Sequence, residues 1–586
     1  MIRKFPFSIL LFISAYSFSQ PAREYKSYNP ATDSMKVING QAWPNNLKNF
    51  YDRLPKRAEM KVREAVWSLS EQSAGLQLRF QTNADEIIVK YVVTGDLQMS
   101  HMPATGVSGI DLYSKTIDGD WLWAAGQFNF GDTVVYHFKH LSPQDQLVSN
   151  REYTLYFPLY NGVKWMQINV PAESFFKALP AIKEKPVVVY GTSIAQGACA
   201  SRPGLAWTNI LSRKLDRPVI NLGFSGNGQL ENEVNVLIAE IDAKLYILDC
   251  LPNLTDDNIS TAELKKRIVS TIVQLQNKQP RIPILLTAHD GYTDEGLNPS
   301  RKSEYERVNI ILKDVFDSLS AKSIKNLYML SKEEIGQDIE SMVDGVHPND
   351  IGMMRYAVAY EKKIRVILKE PVGLLSTTQP VTQRRDAGTY DWETRHNEVL
   401  AYNAHHPELA FIGNSITHYW SGEPLAQIQR SNESWKENFG NRNPINMGFG
   451  WDRIENVLWR VYHGELDGIA PHQIVLMIGT NNLSLNTNTE ILTGLRFLIK
   501  EIQSRQPGAQ IVLMGILPRR EMENRIIHLN ALIAKIPGNL KMKYADPGKP
   551  FLNQHHKIIE SLFSDGLHPN DAGYKLLGKF IKQQLD

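Results

Sequence analysis

The sequence predicts a multidomain protein with an N-terminal all-β sandwich or jelly roll, followed by two α/β domains built on parallel sheets. Three observations lead to this prediction. The chain has 586 residues, more than a single core accommodates. Three sequence blocks recur in the same order at a nearly constant offset. Uninterrupted apolar runs alternate with helical patterns around both copies, whereas the first part of the chain is rich in alternating β patterns.

The composition is that of an ordinary globular protein. Hydrophobic residues make up 42% of the chain and charged residues 22%, with a net charge of +2 and a pI near 8.2. This balance gives no support for binding to nucleic acid or to an anionic membrane surface.

The first twenty residues have the pattern of a signal peptide. Arg3 and Lys4 precede an apolar stretch, 5–18, that is shorter than the roughly 20 residues a membrane span requires. Small residues, Ser17 and Ser19, lie at the end of this stretch, where a signal peptidase requires small side chains. We therefore predict cleavage after about residue 20 and export to the periplasm or beyond the cell. The alternative is a membrane anchor or buried helix. No other segment is long and apolar enough to predict a membrane span.

Residues 21–178 are predicted to form the β domain. Leu76, Leu78 and Phe80 alternate with polar residues, which is typical of a half-buried antiparallel strand. Further β-rich runs are separated by turn residues; they are Ile87–Val93, Tyr153–Tyr160 and Lys164–Val170.

The rest of the chain is a tandem duplication. The two serines of the recurring blocks are 222 residues apart and the two histidines 221, and serine and aspartate are separated by 151 or 150 residues. The matching blocks are Gly191-Thr192-Ser193 with Gly413-Asn414-Ser415, Asn221–Phe224 with Asn446–Phe449, and Asp344–Asp350 with Asp565–Asp571.

Each copy alternates buried strands with helices, which indicates a parallel sheet covered on both faces. We place the first copy at 183–370, a polar linker at 371–387 and the second copy at 388–586. Both serines directly follow an apolar run, at the edge of such a sheet where ligands bind. The runs are Val187–Tyr190, Val219–Asn221, Leu245–Leu248 and Ile284–Thr287, then Leu409–Ile412, Ile445–Met447, Ile474–Ile478 and Ile511–Met514.

The duplicated blocks contain the residues that serine-dependent acyl transfer needs: a nucleophile, a base and a group that orients the base. Taken singly, a serine after glycine is usually a turn residue and an Asp-x-x-His a polar loop. Their recurrence in order and spacing favours two triads. These are Ser193, Asp344 and His347 in the first copy, and Ser415, Asp565 and His568 in the second. Neither serine lies in a G-x-S-x-G elbow, which argues against the α/β-hydrolase fold.

These blocks resemble those of the SGNH, or GDSL-type, hydrolases, whose fold is a flavodoxin-like α/β/α sandwich. The resemblance implies esterase activity without a cofactor or metal. It also implies oxyanion donors: in the first copy the backbone N–H of Gly226 and the side chain of Asn253. The segment Asp249–Asn253 departs from the usual Gly-x-Asn-Asp form of the family.

The second copy resembles the platelet-activating-factor acetylhydrolase-like branch of that family. Asn481, in Gly479-Thr480-Asn481-Asn482, matches the oxyanion asparagine. In Gly448-Phe449-Gly450-Trp451, an ungapped match places Trp451 where the family has its oxyanion glycine. The backbone donor is therefore either Gly450 or Trp451.

The β domain resembles the G-x-D-L-Y module that precedes some SGNH esterases, through Gly109–Tyr113. Trp121 and Trp123 either hold a sugar chain over Ser193 or pack in the sandwich core. Tyr419 and Trp420 either line the second site or pack the helix after Ser415.

The two cysteines, Cys199 and Cys250, form a disulfide or remain two buried thiols. Neither has neighbours at metal-ligand spacing, so no zinc site is predicted.

We interpret the chain as a secreted carbohydrate esterase, an acetylesterase acting on acetylated polysaccharide or oligosaccharide at two sites. One alternative is a lipid or thioester hydrolase. Another is a single active domain joined to a degenerate glycan-binding domain. Nothing in the sequence indicates an oligomeric state.

Overall fold

The computed structural model describes residues 23–142, 150–322, 324–385, 388–537 and 542–586. The signal peptide predicted for residues 1–20 lies outside these ranges. The described chain contains two antiparallel sheets in its N-terminal part and two five-stranded parallel sheets, which confirms the predicted fold class. In this described part, no helix combines the length and apolar character needed to cross a bilayer.

The N-terminal domain is a β-sandwich with an aromatic and aliphatic core between its sheets. One sheet has the order β1-β10-β4-β8-β7 and the other β11-β3-β9-β5-β6, with β2 paired to β3. The elements are β1 (Tyr25–Tyr28), β2 (Ile38–Asn39), α1 (Glu64–Ser70), β3 (Gln77–Thr82), β4 (Ile87–Val93), α2 (Ala104–Val107), β5 (Asp111–Lys115), β6 (Trp121–Ala124), β7 (Gly126–Asn129), β8 (Val134–Phe138), β9 (Arg151–Tyr156), β10 (Val163–Pro171) and β11 (Phe176–Ala178).

The polar face of β3 differs from the prediction of a half-buried strand. Gln77 and Arg79 are each only 7% exposed. Arg79 forms ion pairs with Glu152 of the neighbouring strand and with Glu393, which precedes the second parallel sheet. The polar face is buried because the second α/β domain covers it, and sequence alternation cannot reveal such a neighbour.

The first copy folds around a parallel sheet of order β13-β12-β14-β15-β16. This is the 2-1-3-4-5 order of flavodoxin-like domains, with helices covering both faces. Its elements are β12 (Val187–Gly191), α3 (Ser193–Gln196), α4 (Trp207–Leu215), β13 (Val219–Gly223), α5 (Asn232–Ile238), β14 (Leu245–Asp249), α6 (Thr261–Lys278), β15 (Ile284–Thr287), α7 (Pro299–Ala321), β16 (Leu327–Leu330), α8 (Lys332–Ile335) and α9 (Asp350–Leu368).

The second copy repeats this order as β18-β17-β19-β20-β21. In both copies the four predicted strands are present, and a fifth, half-buried edge strand completes the sheet. Its elements are α10 (Trp392–Tyr402), β17 (Leu409–Gly413), α11 (Ser415–His418), α12 (Asn432–Phe439), β18 (Pro444–Gly448), α13 (Ile454–Tyr462), β19 (Gln473–Met477), α14 (Asn488–Arg505), β20 (Gln510–Met514), α15 (Glu523–Ile533), β21 (Met542–Ala545) and α16 (Asp571–Leu585).

The segment between the two copies is packed against its neighbours. Thr377 and Gln383 are fully buried, and the side chain of Arg385 is 5% exposed. Arg385 pairs with Asp118 in the β5–β6 turn of the sandwich and donates to the carbonyl of Trp451. The connecting segment therefore joins the N-terminal sandwich to the second α/β domain.

Candidate active sites

Ser193 lies at the carboxyl end of β12, as the first residue of α3. The side chain of Thr192 caps that short helix. The Oγ atom of Ser193 is 2.8 Å from Nε2 of His347, and Nδ1 of His347 is 2.7 Å from Oδ2 of Asp344. The structure therefore brings together the three residues predicted as the first triad.

Ser415 has the same position in the second copy, after β17 and at the start of α11, where Asn414 is the cap. Its Oγ is 2.9 Å from Nε2 of His568, and Nδ1 of His568 is 2.7 Å from Oδ2 of Asp565. The second predicted triad is thus assembled with nearly identical distances.

The Asp-x-x-His spacing works because the aspartate binds its own turn. Oδ1 of Asp565 accepts the backbone N–H groups of Leu567 and His568, which leaves Oδ2 for the imidazole. Gly566 permits the turn with φ of +81°. Partial burial raises the pKa of Asp565, but hydrogen bonds from the backbone and side chain of His568 outweigh it, and the pKa falls to about 2. The carboxylate is therefore ionised and fixes the imidazole orientation.

The residues after each histidine tie this turn to the rest of the domain. Asn349 caps α9, and Asp350 accepts hydrogen bonds from the backbone and hydroxyl of Ser201, which follows the nucleophile helix. In the second copy Asp571 accepts from the hydroxyl of Ser431. The conserved spacing of the two repeats therefore has a structural role beyond the triads.

The loops after β13 and β18 show which backbone amide of the second copy corresponds to Gly226. Gly226 has φ of +68° and Trp451 has φ of +61°, so they occupy equivalent left-handed positions. The preceding N–H groups are held in the same way. Ser225 donates to Oε1 of Gln196, and Gly450 donates to Nδ1 of His418. By position and backbone conformation, Gly450 therefore corresponds to Ser225 and Trp451 corresponds to Gly226.

His418 can accept this hydrogen bond because it is neutral. Burial, together with the nearby charges of Arg395 and Arg460, keeps the pKa of His418 well below its usual value. Left-handed backbone costs a non-glycine residue such as Trp451 roughly 1–2 kcal/mol, and the bond between Gly450 and His418 helps to hold that conformation. Gln196 and His418 were not predicted from the sequence; their only signal is a shared position three residues after each serine.

The predicted oxyanion asparagines lie beside these loops. Oδ1 of Asn253 accepts a hydrogen bond from the N–H of Gly228, so the side-chain amide hydrogens of Asn253 take no part in that bond. Nδ2 of Asn481 donates to the carbonyl of Asp452 at 3.0 Å. An amide nitrogen carries two hydrogens, so one remains to donate elsewhere. Both side chains are half-buried.

Arg53, from the N-terminal part of the chain, is buried behind the first site. Its Nη1 donates to the carbonyls of Asn221 at 3.1 Å and Gly223 at 2.8 Å, at the end of β13. Its guanidinium lies over the ring of Phe224. Burial lowers the pKa of Arg53 to about 9. No motif or spacing in the sequence singles out this residue.

Arg395 of α10 makes the equivalent contacts in the second copy. Its guanidinium donates to the carbonyls of Asn446 and Gly448 and lies over the ring of Phe449. Burial lowers the pKa of Arg395 to about 10. The buried arginine of the first α/β domain therefore comes from the preceding N-terminal segment, whereas that of the second comes from the domain's own first helix, α10.

The sandwich also contacts the first site directly. The hydroxyl of Tyr160 donates to the carbonyl of Ser193 at 3.3 Å, and the ring of His101 is 5.9 Å from that of His347. Asp111 of the G-x-D-L-Y sequence accepts from the N–H of Gly204 and from Arg202, both in the loop after α3. The motif thus anchors the sandwich to the loop next to Ser193.

The structure gives the positions of the aromatic residues for which two roles were predicted. Trp123 is 49% exposed and Trp121 lines a cavity bordered by the sandwich and by both α/β domains, so neither packs in the sandwich core. Trp420 is fully buried and packs in the core. Tyr419 is 7% exposed and its ring centroid lies 6.1 Å from that of His568.

The cysteines are not joined. Cys199 and Cys250 are both buried free thiols, which corresponds to the second of the two predicted alternatives. Within the described ranges, no group of three or more carboxylates, imidazoles and thiols forms a candidate metal site.

Comparison with known families matches all three parts of the chain. Residues 184–365 and 411–576 each match the GDSL-like lipase/acylhydrolase family. Residues 25–176 match the family described as the N-terminus of SGNH-hydrolase-type esterases.

Individual relatives agree. The chain is 32% identical over 205 residues to human platelet-activating factor acetylhydrolase IB subunit alpha2, covering 33% of this chain and 85% of the relative. The bovine alpha1 subunit is 29% identical over 203 residues, covering 34% of this chain and 83% of the relative. A crystal structure of a Bacteroides ovatus protein described as a GDSL-like lipase is 33% identical, with a TM-score of 0.54, covering 59% of this chain and 98% of that chain.

The fold and these matches together define a carboxylic-ester hydrolase. More narrowly, the chain belongs to the GDSL-like lipase/acylhydrolase family, the SGNH hydrolases, and carries two copies of the family's domain behind an SGNH-esterase N-terminal domain.

Proposed function

We propose that the protein is an exported carbohydrate esterase that removes O-acetyl groups from polysaccharide or oligosaccharide at two serine-dependent sites. The observation that carries this proposal is the pair of Ser–His–Asp hydrogen-bonded chains, repeated with distances that agree within 0.1 Å. Such a chain is the arrangement that activates a serine hydroxyl for acyl transfer.

In the proposed reaction, Oγ of Ser193 or Ser415 attacks the ester carbonyl while Nε2 of the paired histidine takes the hydroxyl proton. The oxyanion is stabilised by backbone N–H groups, with Gly226 in one site and Trp451 in the other, together with Asn253 or Asn481. The histidine then protonates the departing sugar oxygen, leaving an acyl-enzyme. Water, deprotonated by the same histidine, cleaves that ester and releases acetate. Asp344 and Asp565 stay ionised and stabilise the imidazolium.

A glycan substrate is supported by the exposed indoles of Trp123 and Trp451, since aromatic faces bind the apolar faces of sugar rings. The N-terminal pattern of residues 1–20, whose structure is not described, supports export. Acetyl as the acyl group is consistent with relatives that are named acetylhydrolases.

Those same relatives favour a second candidate, an acetylated lipid, because their name refers to platelet-activating factor. The two candidates differ in the alcohol part of the ester and not in the acyl chemistry. A comparison of substrates that share acetyl and differ in the alcohol therefore separates them.

The test uses Ser193→Ala, Ser415→Ala and the double variant, assayed for acetate release from acetylated xylan, other acetylated glycans and an acetylated phospholipid. We expect each single variant to retain the activity of the other site and the double variant to lose at least about 1,000-fold. Activity on the lipid alone would contradict the glycan proposal. Full activity of the double variant would contradict the assignment of both serines.

A further inference from the structure

The two sites differ at one position of the proposed oxyanion loop. In the Ser415 site this position is Trp451, whose side chain is 46% exposed. In the Ser193 site it is Gly226. Because both residues are proposed to donate their backbone N–H to the oxyanion, a side chain at this position begins next to the reacting ester.

The backbone at Trp451 is one that glycine would adopt without strain, since φ is +61°. Surrounding groups hold it there. Gln383 and Tyr390 donate to the carbonyl of Gly450, both at 2.9 Å, and Arg385 donates to the carbonyl of Trp451 at 3.0 Å. The loop conformation therefore does not need an indole, and an indole exposed to this extent contributes little to the core.

The corresponding space in the first site is empty of protein. A Cβ atom built on Gly226 meets no atom within 4 Å. Packing around the Cβ position therefore does not exclude a side chain, and the feature that favours glycine here is the left-handed φ of +68°. The first site is instead contacted by the sandwich. The ring of His101 lies near that of His347, and the hydroxyl of Tyr160 donates to the carbonyl of Ser193.

We propose that Trp451 determines the specificity of the Ser415 site by stacking its indole on the pyranose ring that carries the acetyl ester. The axial C–H groups of a pyranose form an apolar face that packs against an aromatic ring. The Ser193 site, with Gly226 at this position, lacks this platform. This inference rests on the proposed function of Ser415 as the nucleophile.

The experiment isolates each site. In the Ser193→Ala background, Trp451→Gly and Trp451→Phe are assayed on an acetylated xylo-oligosaccharide and on ethyl acetate, which has no ring. The readout is the ratio of kcat/KM for the two substrates, because a disturbed oxyanion loop lowers both values together. We expect Trp451→Gly to lower the ratio about tenfold, equivalent to about 1.4 kcal/mol, mainly through a higher KM for the oligosaccharide. Trp451→Phe should retain most of the ratio.

The reciprocal variant, Gly226→Trp in the Ser415→Ala background, should raise the same ratio at the first site. Trp165→Ala is the matched control, since this indole is 39% exposed but lies on β10 of the sandwich; the ratio should not change. An unchanged ratio in Trp451→Gly, or an equal fall for both substrates, would overturn the inference. So would a selective loss on an acetylated phospholipid. If acetate release instead persists after both serines are replaced, the proposed function itself fails.

Discussion

The buried arginines behind the two sites lead to a prediction with an internal control. Arg53→Met replaces a guanidinium with an apolar chain of similar length. It removes hydrogen bonds to the carbonyls of Asn221 and Gly223, and to those of Leu69 and Gln72, all within 3.1 Å. Arg395→Met removes the corresponding bonds in the second copy. These go to the carbonyls of Asn446 and Gly448 at the end of β18, and to that of Pro424.

The magnitude follows from burial. A hydrogen bond to a charged group contributes about 1.5–3 kcal/mol, and a buried carbonyl left unpaired costs about 1–3 kcal/mol. Burial of the guanidinium also carries a desolvation penalty, which lowers the pKa of Arg53 to about 9. The substitution removes this penalty, and that gain offsets part of the loss. We therefore expect Arg53→Met to destabilise the first site locally by about 2–4 kcal/mol. Arg53→Lys should recover part of that loss.

The assay is amide hydrogen exchange followed by mass spectrometry, which resolves the two copies. Arg53→Met should speed exchange in the strand and loop spanning 221–228 and leave 446–453 unchanged, and Arg395→Met should do the reverse. In the Ser415→Ala background, Arg53→Met should lower kcat at the Ser193 site more than it raises KM, since the oxyanion loop is displaced. Unchanged exchange at 221–228 together with an unchanged rate would show that Arg53 does not hold this strand end and loop in place.

Three further predictions concern pH and the sandwich. Burial raises the pKa of Asp249 and Asp290 to about 7, so both are protonated in the folded state near pH 5. Their contribution to the free energy of unfolding is present below the unfolded-state pKa of about 4 and is lost as pH rises through about 7. Asp249→Asn should therefore flatten the fall of Tm between pH 4.5 and 7.5. A slope identical to that of the unmodified protein would contradict this. Asp111→Ala leaves Arg202 without its buried carboxylate, and should cost about 3 kcal/mol and lower activity at Ser193 alone; equal losses at both sites would contradict an anchoring role. Because the pKa of Asp565 is lowered to about 2, its carboxylate should stay ionised at every pH from 5 to 8, and Asp565→Asn should lower the Ser415-dependent kcat/KM throughout that range; a loss confined to the acid end of the range would contradict this.

The duplication explains how much of the site could be predicted. Ser193 and Ser415 follow uninterrupted apolar strands, and each lies a nearly constant distance from an Asp-x-x-His, so every triad assignment could be checked against its copy. The oxyanion loop of the second copy could not be resolved in this way. Which of Gly450 and Trp451 corresponds to Gly226 depends on φ and on the hydrogen bond from Gly450 to His418, and neither is visible in a residue pattern.

Contacts between domains were beyond prediction for the same reason. The alternation of β3 correctly indicated a strand but placed Arg79 in solvent, because nothing local signals that Glu393, more than 300 residues away, covers it. Arg53 was missed because its partners are backbone carbonyls, which leave no trace in the sequence. The edge strands β16 and β21 were missed because they are only four residues long and half-buried.

The central claim is that both copies contain a working nucleophile. A serine-reactive fluorophosphonate, followed by intact-mass and peptide analysis, tests it most directly. We expect two adducts per chain, at Ser193 and Ser415, one adduct in each single Ser→Ala variant and none in the double variant. A single adduct on the unmodified chain, with the other serine unreactive at neutral pH, would contradict it.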